Sequence, residues 1–145
     1  MIFSTATGYA LRALAAMPED GTYSLAKDLA SHLELPGPYL AKILQSLAQE
    51  GILHSVRGPR GGFRLARAAH KITVGEVVAA LEGAETMTGC VMGFARCDDH
   101  DTPCPLHKAW HDVKAHMDET MTHVTIRDLQ IMDMQHQREL VAVKR

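Results

Sequence analysis

The sequence predicts a mainly α-helical fold that carries one small β-hairpin. Apolar residues recur at helical spacing through residues 4–50 and again from residue 105 onward. Between these regions, glycine and proline cluster at 58–62, with short alternating segments on either side. Apolar residues form 46% of the 145-residue chain, so the chain can bury a packed core.

The first helix is predicted over residues 4–17. Ser4 or Thr5 can cap its start, because a hydroxyl oxygen accepts a hydrogen bond from an amide of the first turn. The segment from Pro18 to Gly21 ends the helix. Its apolar stripe, at the spacing i, i+3, i+4, i+7, is Ala10, Ala13, Leu14 and Met17.

Two further helices, joined by a short turn, are predicted next. The second helix covers about 25–33, and Ser24 can cap it. The third helix has Gly37 as its cap and Pro38 as its first residue, and Gly51 stands where a glycine commonly ends a helix. The apolar stripe of the third helix is Leu40, Ile43, Leu44 and Leu47.

A β-hairpin is predicted after the third helix. Its strands cover about 52–57 and 62–66, and the segment from Gly58 to Gly61 links them. Two helices joined by a turn of roughly three to four residues form a helix-turn-helix unit. The order of helices and hairpin therefore predicts a winged helix-turn-helix, in which the hairpin is the wing.

Helices are predicted again after the hairpin. Thr73 and Glu76 fit a capping box that opens a helix of about 74–82. Thr125 can cap a short last helix that ends at Leu129. The predicted divisions are the winged helix-turn-helix at 1–82, an irregular cysteine-bearing loop at 83–104, a long helix with the short C-terminal helix at 105–132, and a loose polar tail at 133–145.

The charge distribution predicts different roles for the two halves of the chain, with a basic surface on the hairpin that is either a solvated face or a nucleic-acid-binding one. Residues 1–72 carry eight Lys and Arg against five Asp and Glu, whereas residues 73–145 carry seven against twelve. Residues 51–71 hold five basic side chains and no acidic one, so the hairpin offers a positive surface to a phosphate backbone. A unit that uses this motif only for packing or for protein contact is the alternative.

The third helix is predicted to enter the major groove of double-stranded DNA, because its outward side chains can meet phosphates and base edges. The wing arginines could bind phosphates or enter the minor groove. Glycines at 58, 61 and 62 would let the backbone approach the DNA closely. The candidate DNA-binding residues are Ser24, Pro38, Tyr39, Lys42, Gln45, Arg57, Arg60 and Arg64.

The long helix, predicted over about 105–122, carries an apolar stripe that one small winged domain would not cover. The stripe is Leu106, Trp110, Val113, Met117 and Met121. We therefore expect a homodimer in which this dimerisation helix packs on a symmetry mate. Packing of the helix against its own domain is the alternative. A twofold dimer would present two recognition helices to a palindromic operator.

The three cysteines, Cys90, Cys97 and Cys104, are close together in the sequence, and His107 follows them. Thiolates ligate zinc and iron–sulfur clusters, and a histidine can complete either ligand set. Zinc sites usually use cysteines roughly two to four residues apart, and the wider spacing here suits a cluster held by a loop. Plain thiols, a redox thiol pair, and a zinc site using His107 and His111 are the alternatives.

Several function classes find no support in the sequence. It holds no phosphate-binding glycine loop, nucleophile elbow or convincing acid–base pair, so we expect no enzyme activity. No apolar run reaches the roughly 18 residues that span a bilayer, so no membrane partner is expected. Arg12 interrupts the apolar start of the chain, which argues against a signal peptide and predicts a cytoplasmic protein.

Most of the chain, from residue 1 to about 130, matches one known family. The matching segments are Tyr39-Leu40, Ile43-Leu44, Gly51 to Leu53, Ser55 to Phe63, Ile72 to Val77, the three-cysteine segment, and Thr125 to Leu129. On these segments the chain resembles the IscR/NsrR (Rrf2) family of bacterial regulators, which includes the iron–sulfur cluster regulator and the nitric-oxide-sensitive repressor. The wing motif Arg-Gly-Pro-x-Gly-Gly followed by Val-Gly-Glu is the specific part of the resemblance.

The resemblance implies a cluster-controlled transcription regulator. Cys90, Cys97 and Cys104 would be cluster ligands, and His107 matches the histidine ligand of the iron–sulfur regulator branch. Some members add a carboxylate from the first helix, but that helix carries no acidic residue here. The six-residue gaps differ from the five-residue gaps of that branch, so both [2Fe-2S] and [4Fe-4S] clusters stay open.

The function that the resemblance implies is control of DNA affinity by an iron–sulfur cluster that senses iron, redox or nitric oxide status. A repressor of this kind would lose or gain operator affinity when the cluster changes. A cluster-free winged-helix regulator that senses through thiols or zinc is the alternative.

Overall fold

The computed structural model describes residues 3–87, 89–93 and 104–143. Its helices are α1 (Thr5–Ala16), α2 (Ala26–Leu33), α3 (Gly37–Gln49), α4 (Val74–Glu82), α5 (His107–His123) and α6 (Ile126–Val143), and its strands are β1 (Leu53–Val56) and β2 (Gly62–Leu65). This order is a winged helix-turn-helix followed by two long helices, which confirms the predicted fold class. Within the described ranges, none of the helices is both long and apolar enough to cross a membrane.

The hydrophobic core lies where α1, α3, α4 and the beginning of α6 meet. The predicted stripes of α1 and α3 are buried in full. The largest fully buried side chains include Leu14, Leu40, Leu44, Leu47, Ile72, Val77 and Ile126. Burial of one such side chain stabilises the fold by about 1.5–3 kcal/mol. The core therefore fixes which face of α3 points outward.

The wing is bonded to the start of α2. β1 and β2 pair antiparallel over all four residues of each strand. Ser24 and Phe63 then exchange two backbone hydrogen bonds of 2.8 Å, which adds Ser24 to the edge of the hairpin. The predicted role of Ser24 as a helix cap is wrong, because Leu25 occupies the N-cap position without a side-chain hydrogen bond.

The turn between α2 and α3 is shifted by one residue from the predicted one. Glu34 ends α2 in the left-handed conformation, at φ 56°. Pro36 is the N-cap of α3, so Gly37 is the first helical residue and Pro38 the second, instead of cap and first residue. Proline is tolerated there because the first turn needs no intrahelical amide donor. Gly51, at φ 77°, follows the last turn of α3 as predicted.

The capping box of α4 is confirmed. The Thr73 hydroxyl accepts a hydrogen bond from the Glu76 amide (3.2 Å), and the Glu76 carboxylate accepts one from the Thr73 amide (2.8 Å). After α4, a 3-10 helix at Ala84–Met87 occupies part of the segment that was predicted to be irregular.

α6 is longer than the predicted short helix. It continues past Leu129 to Val143, so the predicted loose tail is helical over 133–143. Its first half is packed, since Gln130 is 3% exposed and its side-chain amide donates to the Met17 carbonyl (3.2 Å). Its second half exposes apolar side chains, with Leu140 59% exposed.

The connection between α5 and α6, residues 124–125, is called the elbow below and is hydrogen-bonded to the start of α4. The Val74 amide donates to the Val124 carbonyl (2.8 Å), and the Ile126 amide donates to the Ile72 carbonyl (2.9 Å). These bonds give the last turn of α5 a fixed position relative to the winged domain.

Candidate nucleic-acid interface and cysteine site

The outward face of α3 is polar. Pro38, Lys42 and Gln45, which the sequence predicted as DNA-binding residues, are exposed above the buried stripe of the same helix. Their spacing places them on one side of α3. Lysine and glutamine side chains at such positions can donate hydrogen bonds to phosphate oxygens or base edges.

Tyr39 lies at the flank of this face. Its ring meets the ring of Tyr9 edge-on, with centroids 5.9 Å apart and an interplanar angle of 77°. The side chain nevertheless remains 43% exposed. Tyr39 thus packs α3 against α1 and leaves part of its ring at the surface.

The three candidate arginines of the wing fall into two groups. Arg57 and Arg60 are exposed at the tip of the hairpin. Arg64 is half-buried instead, with its guanidinium 4.8 Å from the centre of the Tyr23 ring and one nitrogen 3.4 Å from the Gly21 carbonyl. Arg64 therefore braces the loop between α1 and α2, while the other two remain directed to solvent.

Two glycines of the wing are required by the fold itself. A Cβ at residue 61 would lie 2.1 Å from the Val56 carbonyl oxygen, and a Cβ at residue 62 would lie 2.3 Å from the Ser24 carbonyl oxygen. Gly58 has no such neighbour within 4 Å. Close approach of the backbone within this chain thus requires the glycines at 61 and 62.

An apolar groove separates the wing from α2 and α3. Its volume is about 710 Å³, and its walls come from the starts of both helices and from both strands. This groove could not be predicted from the sequence, because its lining residues lie in separate segments that the fold brings together, in part through the Ser24–Phe63 pairing.

Two of the predicted metal ligands, Cys104 and His107, lie at the N-terminal end of α5. The His107 amide donates to the Cys104 carbonyl (3.0 Å), which places Cys104 directly before the first turn. Cys90 and Cys104 are both half-buried. Cys97 lies outside the described residues. Of the four predicted ligands, the structure therefore describes Cys90, Cys104 and His107.

The segment beside Cys90 is fastened to α5 through the Gly89 carbonyl. That oxygen accepts hydrogen bonds from the Trp110 indole nitrogen (3.0 Å) and from the Lys114 ammonium group (2.7 Å). Lys114 is 8% exposed, and its ammonium group lies 5.8 Å from the centre of the Trp110 ring. Sequence reasoning missed this anchor, because Trp110 was assigned to an apolar stripe and Lys114 to no site.

The anchor places Cys90, the neighbour of Gly89, beside α5, the helix that Cys104 precedes and His107 begins. Trp110 and Lys114 follow His107 by one and two turns, so Gly89 and its neighbour Cys90 lie along the same face of α5. Thiolate and imidazole donors suit iron–sulfur clusters and zinc. Among the described residues, no three His, Cys, Asp or Glu side chains already converge on one point. The His107 and His111 rings are stacked, with centroids 6.3 Å apart.

Glu76 connects the wing to α4. Its carboxylate accepts a hydrogen bond from Arg67 (2.7 Å), which follows β2, in addition to the bonds with Thr73. Burial raises the pKa of Glu76, but the Thr73 hydrogen bonds and the Arg67 charge outweigh burial and hold the pKa below its ordinary value. The end of the wing is therefore joined to the same capping box that neighbours the α5–α6 elbow.

Comparison with known sequences gives matches over most of the chain. The profile of the Rrf2 family, described as an iron-dependent transcriptional regulator, matches residues 3–131. A candidate HTH-type transcriptional regulator of Aquifex aeolicus is 34% identical over 139 residues, which are 94% of this chain and 96% of that protein. The regulator IscR of Vibrio campbellii is 31% identical over 102 residues, and the match spans only 60% of its length and 70% of this chain.

Solved structures show the same architecture. The IscR of T. potens has a TM-score of 0.71 at 28% identity, with 92% of this chain and 89% of that chain covered. CymR, the global cysteine regulator of B. subtilis, has a TM-score of 0.74 at 22% identity, with 90% and 96% covered. The likeness to CymR supports the fold alone. The family and these relatives are transcription regulators and not enzymes, as predicted from the sequence.

Proposed function

Because this chain belongs to the Rrf2 family of transcriptional regulators, we propose that it binds a palindromic operator as a homodimer and that an iron–sulfur cluster controls its affinity. The observation that carries the DNA-binding part is the polar face of α3 beside an exposed wing without acidic residues. The observation that supports the cluster part is that Cys104 and His107 begin α5, and that Gly89, the neighbour of Cys90, is hydrogen-bonded to Trp110 and Lys114 of the same helix.

In the proposed complex, α3 enters the major groove. Lys42 and Gln45 contact phosphates or base edges, and Pro38 and the exposed part of Tyr39 border the same surface. Arg57 and Arg60 at the wing tip contact phosphates or the adjacent minor groove. Ser24 contributes through its backbone pairing, and Arg64 contributes by holding the α1–α2 loop.

The DNA-binding proposal is tested with Arg57→Ala. An operator is first selected from a random duplex pool with the purified protein, and affinity is then measured by fluorescence anisotropy over a salt series. Loss of a phosphate contact should weaken binding and lower the slope of log affinity against log salt by about 1 per contact.

Arg138→Ala is the matched control, because Arg138 is an exposed arginine on α6, away from the wing. It should leave affinity and slope unchanged. Equal behaviour of the two variants would refute the assignment of Arg57.

The homodimer is proposed to form through the apolar side chains that α5 leaves uncovered. Leu106 and Val113 are 50% and 46% exposed, whereas Met121 at the elbow is buried in the chain's own fold. Part of the stripe therefore needs a partner, and a second copy of α5 offers a complementary one.

The proposed cluster, [2Fe-2S] or [4Fe-4S], would be held by Cys90, Cys97, Cys104 and His107. When bound, it would supply a centre that responds to iron supply, oxidation or nitric oxide. The chain itself would transmit a change at the cluster to α5, because the Gly89 carbonyl ties the loop to Trp110 and Lys114. A change in the loop would then shift α5 and the spacing of the two recognition helices.

The cluster proposal is tested on protein purified without oxygen. Absorption near 400 nm, a rough expectation for thiolate-bound clusters, with matching iron and sulfide would support it. His107→Ala should alter the spectrum, whereas His111→Ala, one turn further along α5, should not. A preparation that stays colourless after reconstitution with iron and sulfide would refute the cluster proposal.

A cluster-free regulator is the second candidate. The stacked pair His107 and His111 has the i, i+4 spacing that zinc sites use. A colourless protein that holds stoichiometric zinc, or whose operator affinity changes on thiol oxidation, would favour this candidate.

A further inference from the structure

The apolar groove between α2, α3 and the wing lies inside the surface proposed to bind DNA. Its lining includes Leu35, Pro38, Ala41, Val56 and Phe63. Val56 is 49% exposed, and Ala41 is half-buried one turn after Pro38. An apolar wall of this size is unusual for a surface that otherwise carries basic and amide side chains.

Three basic residues line the groove or adjoin its lining residues in the chain, and their charge favours a nucleic acid as its occupant. Lys27 lines the groove itself. Lys42 follows Ala41 in α3, and Arg57 precedes Gly58, which also lines the groove. A polyanion that lies along these cations would cover the groove, and the nearest apolar part of a duplex would enter it.

Only one group on the major-groove edge of DNA is apolar. Thymine presents a C5-methyl group there, and alanine is a side chain that contacts it. Cytosine carries only a hydrogen at C5, so it would leave the wall without the contact that the methyl group makes. An apolar wall at the start of a recognition helix therefore selects thymine.

We propose that the groove receives the C5-methyl group of a thymine in each operator half-site, and that Ala41 is the residue that reads it. This proposal rests on the DNA-binding function proposed above. Pro38 and Val56 close the two sides of the methyl site. Lys42 and Arg57 make the phosphate, base-edge or minor-groove contacts proposed above, and Ala41 makes the contact to the methyl group.

The test replaces each thymine of the selected operator by deoxyuridine, which removes only the methyl group. At the thymine that meets Ala41, the dissociation constant should rise about fourfold per half-site, the value for one buried methyl. Substitution in both half-sites should raise it by roughly the square of that factor, about fifteenfold. Absence of any such position would overturn the proposal.

Ala41→Gly shows whether the effect belongs to this residue. The variant should bind the thymine and deoxyuridine operators with nearly equal affinity, because the side chain that reads the methyl group is gone. Ala48→Gly is the matched control, since Ala48 lies on the same helix but packs against the core. It weakens the helix to a similar degree and should keep the fourfold discrimination.

The outcomes separate this proposal from the one on which it rests. If the protein binds no duplex in a salt-dependent manner, the DNA-binding function itself is refuted. If it binds a selected operator but Ala41→Gly keeps full discrimination against deoxyuridine, the thymine site lies elsewhere and the assignment of Ala41 is refuted. Thermal unfolding of both glycine variants verifies that they are folded.

Discussion

Single polar residues at helix ends make the connections between the elements of this protein. Thr73 caps α4 through its hydroxyl, and Glu76 closes the box and also binds Arg67. We expect Thr73→Ala to lower the free energy of unfolding by about 1 kcal/mol, because one amide of the first turn loses its acceptor. Urea denaturation followed by circular dichroism measures this.

The control for that prediction is Thr120→Ala. The Thr120 hydroxyl donates only to the His116 carbonyl of its own helix, and the residue is exposed. Its loss should change stability by less than about 0.5 kcal/mol. If the two variants lose equal stability, the capping box carries no special role.

Glu82 makes stability depend on pH. Its carboxylate accepts hydrogen bonds from the Ser4 amide (2.7 Å) and from the Ser4 and Thr7 hydroxyls (2.6 Å each). Burial raises the pKa of Glu82, but these bonds outweigh burial and hold the pKa below its ordinary value.

A carboxylate with a lowered folded pKa stabilises the fold above the ordinary value, about 4.3. That stabilisation is lost as the pH falls through the folded pKa. Glu82→Gln should therefore be less stable than the parent chain at pH 7, and the difference should shrink as the pH falls through the lowered folded pKa of Glu82. A difference in stability that does not shrink on acidification would contradict the assignment. Denaturation series at several pH values measure it.

Residue roles that depend on distant partners were the hardest to predict. Ser24 has the side chain of a helix cap, but its backbone pairs with Phe63, which lies far along the chain. Arg64 stays a predicted DNA contact, and the packing of its guanidinium on Tyr23 is a neighbour that the local sequence does not show. Local sequence shows the chemical type of a residue and not the neighbour that the fold supplies.

Elements with their own periodic signal were predicted well. The apolar stripes predicted α1 and α3 because buried residues recur once per turn. α6 was predicted too short because its second half is polar enough to resemble a loose tail, although the helix continues to Val143. The cysteines were predicted as ligands from their spacing in the sequence. The anchor at Gly89 could not be predicted, because it depends on a backbone carbonyl, which every residue has.

α5 is the element on which the proposed dimer depends. Val113→Glu would place a charge in the apolar seam, where burial without a partner is costly. We expect the variant to have half the parent mass by light scattering and to bind the operator more weakly. Ala115→Glu, exposed on the opposite side of α5, should remain dimeric. Two variants of equal mass would contradict dimerisation through this stripe.

At the scale of the whole molecule, α5 joins the cysteine site to the winged domain. Its seventeen residues span about 25 Å at 1.5 Å per residue. The Gly89 anchor lies towards its start, and its last turn reaches the elbow that is bonded to α4. α4 in turn holds the wing through Glu76 and Arg67. A displacement of α5 at the cysteine end could therefore reach the wing through hydrogen-bonded contacts, first with α4 and then through Glu76 and Arg67.

This arrangement predicts how operator geometry controls affinity. A rigid twofold dimer holds its recognition helices at one spacing and one rotational phase. Inserting roughly five base pairs between the half-sites rotates one of them by about half a turn, so only one recognition helix can bind. The parent protein should bind the operator with the insertion at least tenfold more weakly than the original operator, as measured by fluorescence anisotropy. The monomeric Val113→Glu variant should bind both operators equally, because it reads one half-site at a time. Equal affinity of the parent protein for both operators would mean that its two winged domains move independently, and the proposed control through α5 would then have no mechanical basis.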